Sequence, residues 1–394
     1  MIYDFDKVTD RHHSDSVKWD LCDPGVIPMW IADMDFQCAP FIVDAVRRRA
    51  EHGIFGYTQV PDEYYESVIN WFEKRRGWKI EKNWIRYIGG LVPALSVAVD
   101  ALTPPGSKVA FHTPAYNCFF SCVEKEGRVV LECPLVYDCS GSQPTFKIDF
   151  DAFEKQMSDP DVHLYVLCNP HNPVGRVWSP EELARIGSIC RAHGVTVVSD
   201  EIHCELEMPG HKYTPFAAVS EANQFCSVSF NSPSKSFNIA GLGISNIVTS
   251  DEEKYQKILA TIRKFDHCDL NPFGVEALMA AYTPEGEEWL RQLNTYIFEN
   301  YQTFCKMMSE ALPQFPICKL EATYLAWMDC SYLTSRGVST ENIQRSLTEN
   351  EKVWINAGGM YGDINFMRIN LACPRETLVE GTRRIISGLQ RLLV

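Results

Sequence analysis

Residues 162–200 read VHLYVLCNPHNPVGRVWSPEELARIGSICRAHGVTVVSD, and they decide the fold. Val162 to Cys168 is a short apolar run that reads as a buried strand. Ser179-Pro180-Glu181-Glu182 is a capping box with proline in the first helical turn, so a helix begins there. Val195 to Ser199 is a second buried strand, followed by Asp200. A strand, a helix and a strand in this order predict a parallel pair joined by a crossover.

The same alternation extends on both sides. Strands are predicted at Trp84–Ile88, Lys108–Phe111, Arg128–Cys133, Phe225–Phe230 and Ile244–Thr249. Helices fall between them near Val92–Leu102, Tyr116–Glu126 and Asp149–Met157. A mostly parallel sheet flanked by helices follows, with ligands expected at the carboxyl ends of its strands. Upstream lie an irregular segment, a helix from Pro40 to about Glu51 and a loop at residues 53–58. An amphipathic helix from Asp62 to Arg76 comes next, with Tyr65, Val68, Ile69 and Phe72 on one face. After Asp251 the chain turns helical. A long helix near Glu285–Leu312 leads to a smaller α+β unit with strands near Thr323–Met328 and Phe366–Leu371. The expected division is a large domain, 46–285, and a small one made of 1–45 and 286–394.

With 394 residues the chain can bury a large core. Its net charge of −14 argues against nucleic acid or an anionic membrane as partner. No apolar run reaches membrane-spanning length, and the acidic start carries no apolar signal core. The 15 cysteines are scattered and contain no C-x-x-C pair. That spacing suits reduced thiols better than a disulfide framework or a metal site. A cytoplasmic enzyme or binding protein is the expectation.

Six stretches, most of them at strand ends, carry residue types that chemistry uses. NSPSKSFNIAGL (Asn231–Leu242) places Lys235 just after an apolar run. Desolvation lowers an amine's pKa and makes it a usable base or Schiff-base nucleophile; a surface lysine on a polar loop would read the same way. Asp200 ends a buried strand and calls for a cationic partner, although a helix cap would also explain it. Asn172 sits in a loop stiffened by two Asn-Pro pairs, which either aims a side chain or only braces the turn. Gly89-Gly90-Leu91-Val92 turns a strand into a helix, and helix N-termini bind phosphate; a plain tight turn fits equally. Arg368, inside the apolar run Asn365–Asn370, wants a carboxylate from a ligand or from the chain itself. Tyr116 at a helix start could stack on a planar ring or pack in the core.

Taken together, in this order along the chain, these stretches resemble the fold type I pyridoxal-phosphate enzymes, an aminotransferase-like fold. MWIADMDF (Met29–Phe36), PHNPVGR (Pro170–Arg176), SDEIH (Ser199–His203) and the lysine loop resemble the MalY/PatB type of C–S β-lyase. The resemblance implies roles. Lys235 would carry pyridoxal 5'-phosphate and act as the catalytic base. Asp200 would hold the ring nitrogen, Asn172 the ring 3'-oxygen, and Tyr116 would stack on the ring. Ser232, Ser234 and the Gly90-Leu91-Val92 backbone would bind the phosphate. Tyr57 would reach the site of a second subunit in a homodimer. Arg368 would clamp the substrate carboxylate, with Ala32, Asn172, Tyr57 and Tyr116 also near the substrate.

Two departures from the wider aminotransferase pattern stand out. Gly243 occupies the position eight after the lysine, where a phosphate-binding arginine is common. His203 replaces a tyrosine common three residues after the aspartate, and its role near the cofactor is open between structure and catalysis. The implied reaction is elimination of a thiol from a sulfur amino acid. Aminotransfer shares every part up to the Cα carbanion, and a cofactor-binding regulatory protein is a further reading. Ser232-Pro233-Ser234-Lys235 also matches the S-x-x-K of penicillin-recognising enzymes, but the K-T-G and S-D-N partners are missing.

Overall fold

The computed structural model describes residues 2–264 and 270–393. Seven strands form the main sheet: β1 (Ile85–Ile88), β2 (Lys108–Thr113), β3 (Val129–Pro134), β4 (Val162–Cys168), β5 (Thr196–Asp200), β6 (Ser227–Asn231) and β7 (Ser245–Val248). Their spatial order is β1-β7-β6-β5-β4-β2-β3. Only β7 runs against its neighbours, so the sheet is mostly parallel as expected. No crossover helix lies between β6 and β7, and without one the chain returns antiparallel.

The apolar runs are buried on both faces. One face packs Ala94, Leu95, Ala98 and Val99 of α3 (Leu91–Leu102) against Val166, Val198, Val228 and Ile247. The small alanines let this helix lie close to the strands. The other face packs Trp178, Leu183 and Ile186 against Tyr165 and Val197. Leu183 and Ile186 belong to α5 (Pro180–Ala192), whose capping box forms as predicted, with Ser179 accepting from the Glu182 N–H. Burying each large aliphatic side chain contributes about 1.5–3 kcal/mol.

Two sequence expectations need correction. The strand expected to begin at Phe225 begins at Ser227, because Ser220 caps a short helix, Glu221–Phe225, that uses up the preceding residues. Phe225 is left exposed under the Lys254 ammonium. On α2 (Asp62–Arg76), which follows α1 (Pro40–Glu51), the fully buried face holds Tyr64 and Trp71 with Val68 and Phe72, while Tyr65 and Ile69 are only partly buried. Polar bonds turn the helix this way. Tyr64 donates to Asn246 Oδ1 at 2.6 Å; Trp71 donates to Glu205 at 2.8 Å and stacks on Tyr282.

After the sheet, α6 (Pro284–Ala311) runs 28 residues, about 42 Å. A second, antiparallel sheet follows with order β8-β10-β9, built from β8 (Leu325–Asp329), β9 (Asn356–Ala357) and β10 (Phe366–Asn370). The chain closes with α7 (Arg375–Arg391). The N-terminal segment joins this region by a short parallel pairing of Ile27–Pro28 with Val353–Trp354. No helix among the described residues is long and apolar enough to cross a membrane. Every cysteine among them is a free thiol; Cys268 lies outside the described residues.

Candidate active site

A cavity of about 570 Å³ opens at the carboxyl ends of β1, β4, β5 and β6. Fourth in the order from β1, β5 ends on Asp200, whose carboxylate accepts from the Ile202 N–H at 3.1 Å. It makes no ion pair among the described residues. Burial raises its pKa to about 6, opposed by that hydrogen bond and by the charge of Lys235.

Lys235 stands on the loop after β6 and lines the cavity. Its Nζ donates to the Ala32 carbonyl at 2.7 Å. Burial pulls its pKa down, while Asp33 pushes the other way. The next turn is held by Asn238, at φ +57°, whose amide donates to the carbonyls of Met34 (3.0 Å) and Phe36 (2.8 Å).

Arg368 projects from β10 into the same cavity. Its Nη1 donates to Asn172 Oδ1 at 3.2 Å and its Nη2 to the Trp30 carbonyl at 3.1 Å. The guanidinium lies 4.5 Å over the Tyr361 ring. Its Nε is buried without a partner, and it makes no ion pair among the described residues. Burial lowers its pKa. A buried cation in this state is a receptor for an anion with two oxygens.

Tyr116 lines the cavity as the residue capping α4 (Asn117–Lys125), with burial raising its hydroxyl pKa. His203 also lines it. Its Nδ1 is buried and unpartnered, and burial lowers its pKa to about 3, so the ring is neutral at physiological pH. Gly90, Leu91 and Val92 form the start of α3 at the cavity wall, where the first N–H groups have no intrahelical partner. Ser234 also lines the cavity. Gly243, at φ +57°, approaches so closely that a Cβ there would sit 3.1 Å from the Gly89 carbonyl oxygen.

Two expected residues stand elsewhere. Ser232 does not line the cavity. Its buried hydroxyl donates to the Ile244 carbonyl at 2.5 Å and accepts from the Ser234 N–H at 3.0 Å, so it sets the course of the loop. Tyr57 is fully exposed on the loop after α1, away from this chain's cavity.

The sequence reading named Ala32 but missed how its segment is held. Three asparagines grip its backbone: Asn370 donates to Ile31 (2.6 Å) and Asp33 (2.8 Å), Asn356 to Trp30 (2.9 Å), and Asn238 as above. Lys18, nearly inaccessible to solvent, donates to the Asp33 carbonyl and to Asp35 Oδ2 at 2.7 Å. Asp33, Tyr361, Met360 and Cys118 line the cavity and were also missed. For Lys18 the sequence carried no signal, because Asp33 and Asp35 lie fifteen and seventeen residues further on and only the fold brings them to it.

The sequence profile of the class I and II aminotransferases matches residues 24–385. The chain is 42% identical over 392 residues to cystathionine β-lyase PatB of Bacillus subtilis, covering 98% of this chain and 99% of that one. Among solved structures, it superposes with a TM-score of 0.94 on Treponema denticola cystalysin, which contains a pyridoxal 5'-phosphate cofactor. That match has 31% identity and spans 100% of both chains. The pyridoxal-phosphate-bound C–S lyase of Staphylococcus hominis matches with a TM-score of 0.91 and 33% identity, over 98% of this chain and 99% of that one.

Proposed function

The chain belongs to the class I and II aminotransferase family, in its MalY/PatB-type group, and from that membership we propose that it cleaves the C–S bond of cysteine-derived thioethers with pyridoxal 5'-phosphate. One amino acid and one water give a thiol, pyruvate and ammonium. The observation that carries this reading is the meeting of Lys235, Asp200 and Arg368 in one cavity: an amine, a carboxylate without a cation and a guanidinium without a carboxylate.

The residues present fit the cofactor group by group. Lys235 is an amine for its aldehyde. Asp200 is an anion for its protonated ring nitrogen, and it makes no ion pair among the described residues. Asn172 would bond the 3'-oxygen and Tyr116 would stack on the ring, with His203 adjacent as a neutral imidazole. The free N–H groups at Gly90, Leu91 and Val92, with Ser234, suit a phosphate. Ser232 would serve by fixing Ser234, and Gly243 lets the backbone pass close to the Gly89 carbonyl at the cavity wall. When bound, the cofactor supplies an electron sink for the pair left at Cα.

The protein's own part is positioning and proton movement. Arg368 would clamp the substrate carboxylate and so turn the Cα–H bond toward Lys235. A desolvated Lys235 holds its proton weakly, which suits it to take the Cα proton as general base. The Ala32 carbonyl, 2.7 Å away, can then steady the ammonium. C–S cleavage takes the bonding pair away with sulfur, which leaves as thiolate and is protonated to the thiol.

We place the enzyme in the cytoplasm as a homodimer, in which the exposed Tyr57 would reach the partner's phosphate site. We divide it into a large domain, 46–285, and a small domain, 1–45 with 286–394. The test is pyruvate release from S-substituted cysteines, read beside the visible absorbance of the purified protein. Pyruvate without added keto acid is the expected result. Amino-group transfer that needs a keto-acid acceptor would overturn it. Lys235→Ala is expected to lose both the absorbance band and turnover.

A further inference from the structure

Charged side chains on the cavity wall are few, and each has an assignment. Arg368 is placed for the substrate carboxylate, Asp200 for the ring nitrogen and Lys235 for the Cα proton. Asp33 is the fourth, and its Oδ2 is already paired with Arg11 Nη2 at 2.7 Å. Among the described residues the lining holds no further lysine, arginine, aspartate or glutamate.

The wall beside Arg368 has a different character. The Tyr361 ring lies under the guanidinium, and its neighbour Met360 lines the cavity while 47% exposed. Trp30, whose carbonyl accepts from Arg368, stacks on Trp354 at 4.5 Å and 10°. Cys118 completes this surface. Thioether and aromatic groups accept apolar shapes of varied outline and attract sulfur.

We propose that Trp30, Cys118, Met360 and Tyr361 receive the substituent on the leaving sulfur and select cysteine S-conjugates with an apolar, uncharged substituent. This rests on the elimination reading above. A substrate with a second amino-acid head, such as cystathionine, would bring an ammonium and a carboxylate to this wall. The ammonium would meet an aspartate already paired with Arg11, and the carboxylate would meet no free cation among the described residues of this subunit's wall. Desolvating such a head without partners is costly.

The test compares kcat/KM for pyruvate release by the holoenzyme from S-benzyl-L-cysteine and L-cystathionine. The expected ratio favours the benzyl conjugate at least tenfold. Met360→Arg, at a half-exposed position that tolerates a long side chain, supplies the missing cation and should lower that ratio at least tenfold. Ile364→Arg, on an exposed apolar residue outside the cavity lining, should leave it unchanged. A second readout needs no turnover. By calorimetry, 3-(benzylsulfanyl)propanoate should bind at least tenfold tighter than 3,3'-thiodipropanoate, and Met360→Arg should narrow the gap. A wild-type preference for cystathionine, or a ratio indifferent to Met360→Arg, overturns the inference alone. Absence of pyruvate from both amino acids overturns the elimination reading and the inference with it.

Discussion

Arg368 and Asp200 are opposite charges held in one cavity without ion-pair partners among the described residues, and each makes a separate prediction. For Arg368 the fork matters more than the charge. Arg368→Lys keeps a cation but loses bidentate geometry, so KM should rise about 10- to 100-fold, as expected for hydrogen bonds to a charged group at about 1.5–3 kcal/mol. Steady-state kinetics would show this as a larger change in KM than in kcat. For Asp200 the sign follows from burial. Its pKa is raised to about 6, so the anion that would hold a protonated ring nitrogen is lost as pH falls through 6. Affinity for pyridoxal phosphate, measured by fluorescence titration of the cofactor-free protein, should weaken by up to about tenfold from pH 6 to pH 5. Asp200→Asn should flatten that dependence. Both residues were legible because a charge inside or at the end of an apolar strand is costly without a partner. Ser232 was less so. Its neighbour Lys235 marks the loop as functional, but the direction of its hydroxyl depends on the Ile244 carbonyl, which the fold brings back from twelve residues on.

The segment Met29–Phe36 has no regular structure of its own and is carried by other elements. The Asn370 amide, at the end of β10, bonds the carbonyls of Ile31 and Asp33, more than 330 residues earlier. Asn370→Ala leaves both carbonyls without that donor. The Ile31 carbonyl keeps the Asp33 N–H and the Asp33 carbonyl keeps Lys18, so two hydrogen bonds are lost with no group left unsatisfied. At about 0.5–1.5 kcal/mol each, stability should fall by roughly 1–3 kcal/mol, read as a lower urea midpoint. Turnover should fall too, because Ala32 is the hydrogen-bond partner of Lys235. An unchanged midpoint would show that the segment is held by Asn238 and Lys18 instead. Sequence patterning located the strand that carries Asn370 but could not show what its amide reaches, since alternation reports which face a residue lies on and not its distant partner. The antiparallel β7 was within reach: the link from Asn231 to Ser245 has no crossover helix, and a parallel neighbour needs one. The helix face of α2 was misread at Tyr65 and Ile69 because Tyr64 and Trp71 are buried through hydrogen bonds, which apolar periodicity does not weigh.

Over the whole molecule, buried titratable groups set how stability follows pH. His112, His171 and His203 are buried and neutral, with pKa values lowered by burial to about 3, 4 and 3. Unfolding frees each to take a proton near its ordinary value of about 6.5. Their contribution is therefore complete above pH 6.5 and is lost as pH falls toward 4, by about 1.4 kcal/mol per pH unit for each ring. Asp200 and Glu201 oppose this. Burial raises them to about 6 and 7, so the folded chain holds protons that the unfolded chain releases, and their effect favours folding as pH falls from 7 toward 4. Three rings against two carboxyls leave these five groups a net uptake of about one proton on unfolding, a contribution of about 1.4 kcal/mol lost per pH unit between 6 and 5 in the cofactor-free protein. His112→Phe separates the terms. His112 Nδ1 lies 2.6 Å from the Tyr165 hydroxyl, so the variant should be less stable above pH 6.5, with the deficit narrowing as pH falls. Its pH slope should nevertheless shrink by about one proton, because the ring can no longer titrate. Urea unfolding across this range measures midpoint and slope together. A variant that is destabilised but keeps the wild-type slope would show that the acid sensitivity arises in other groups.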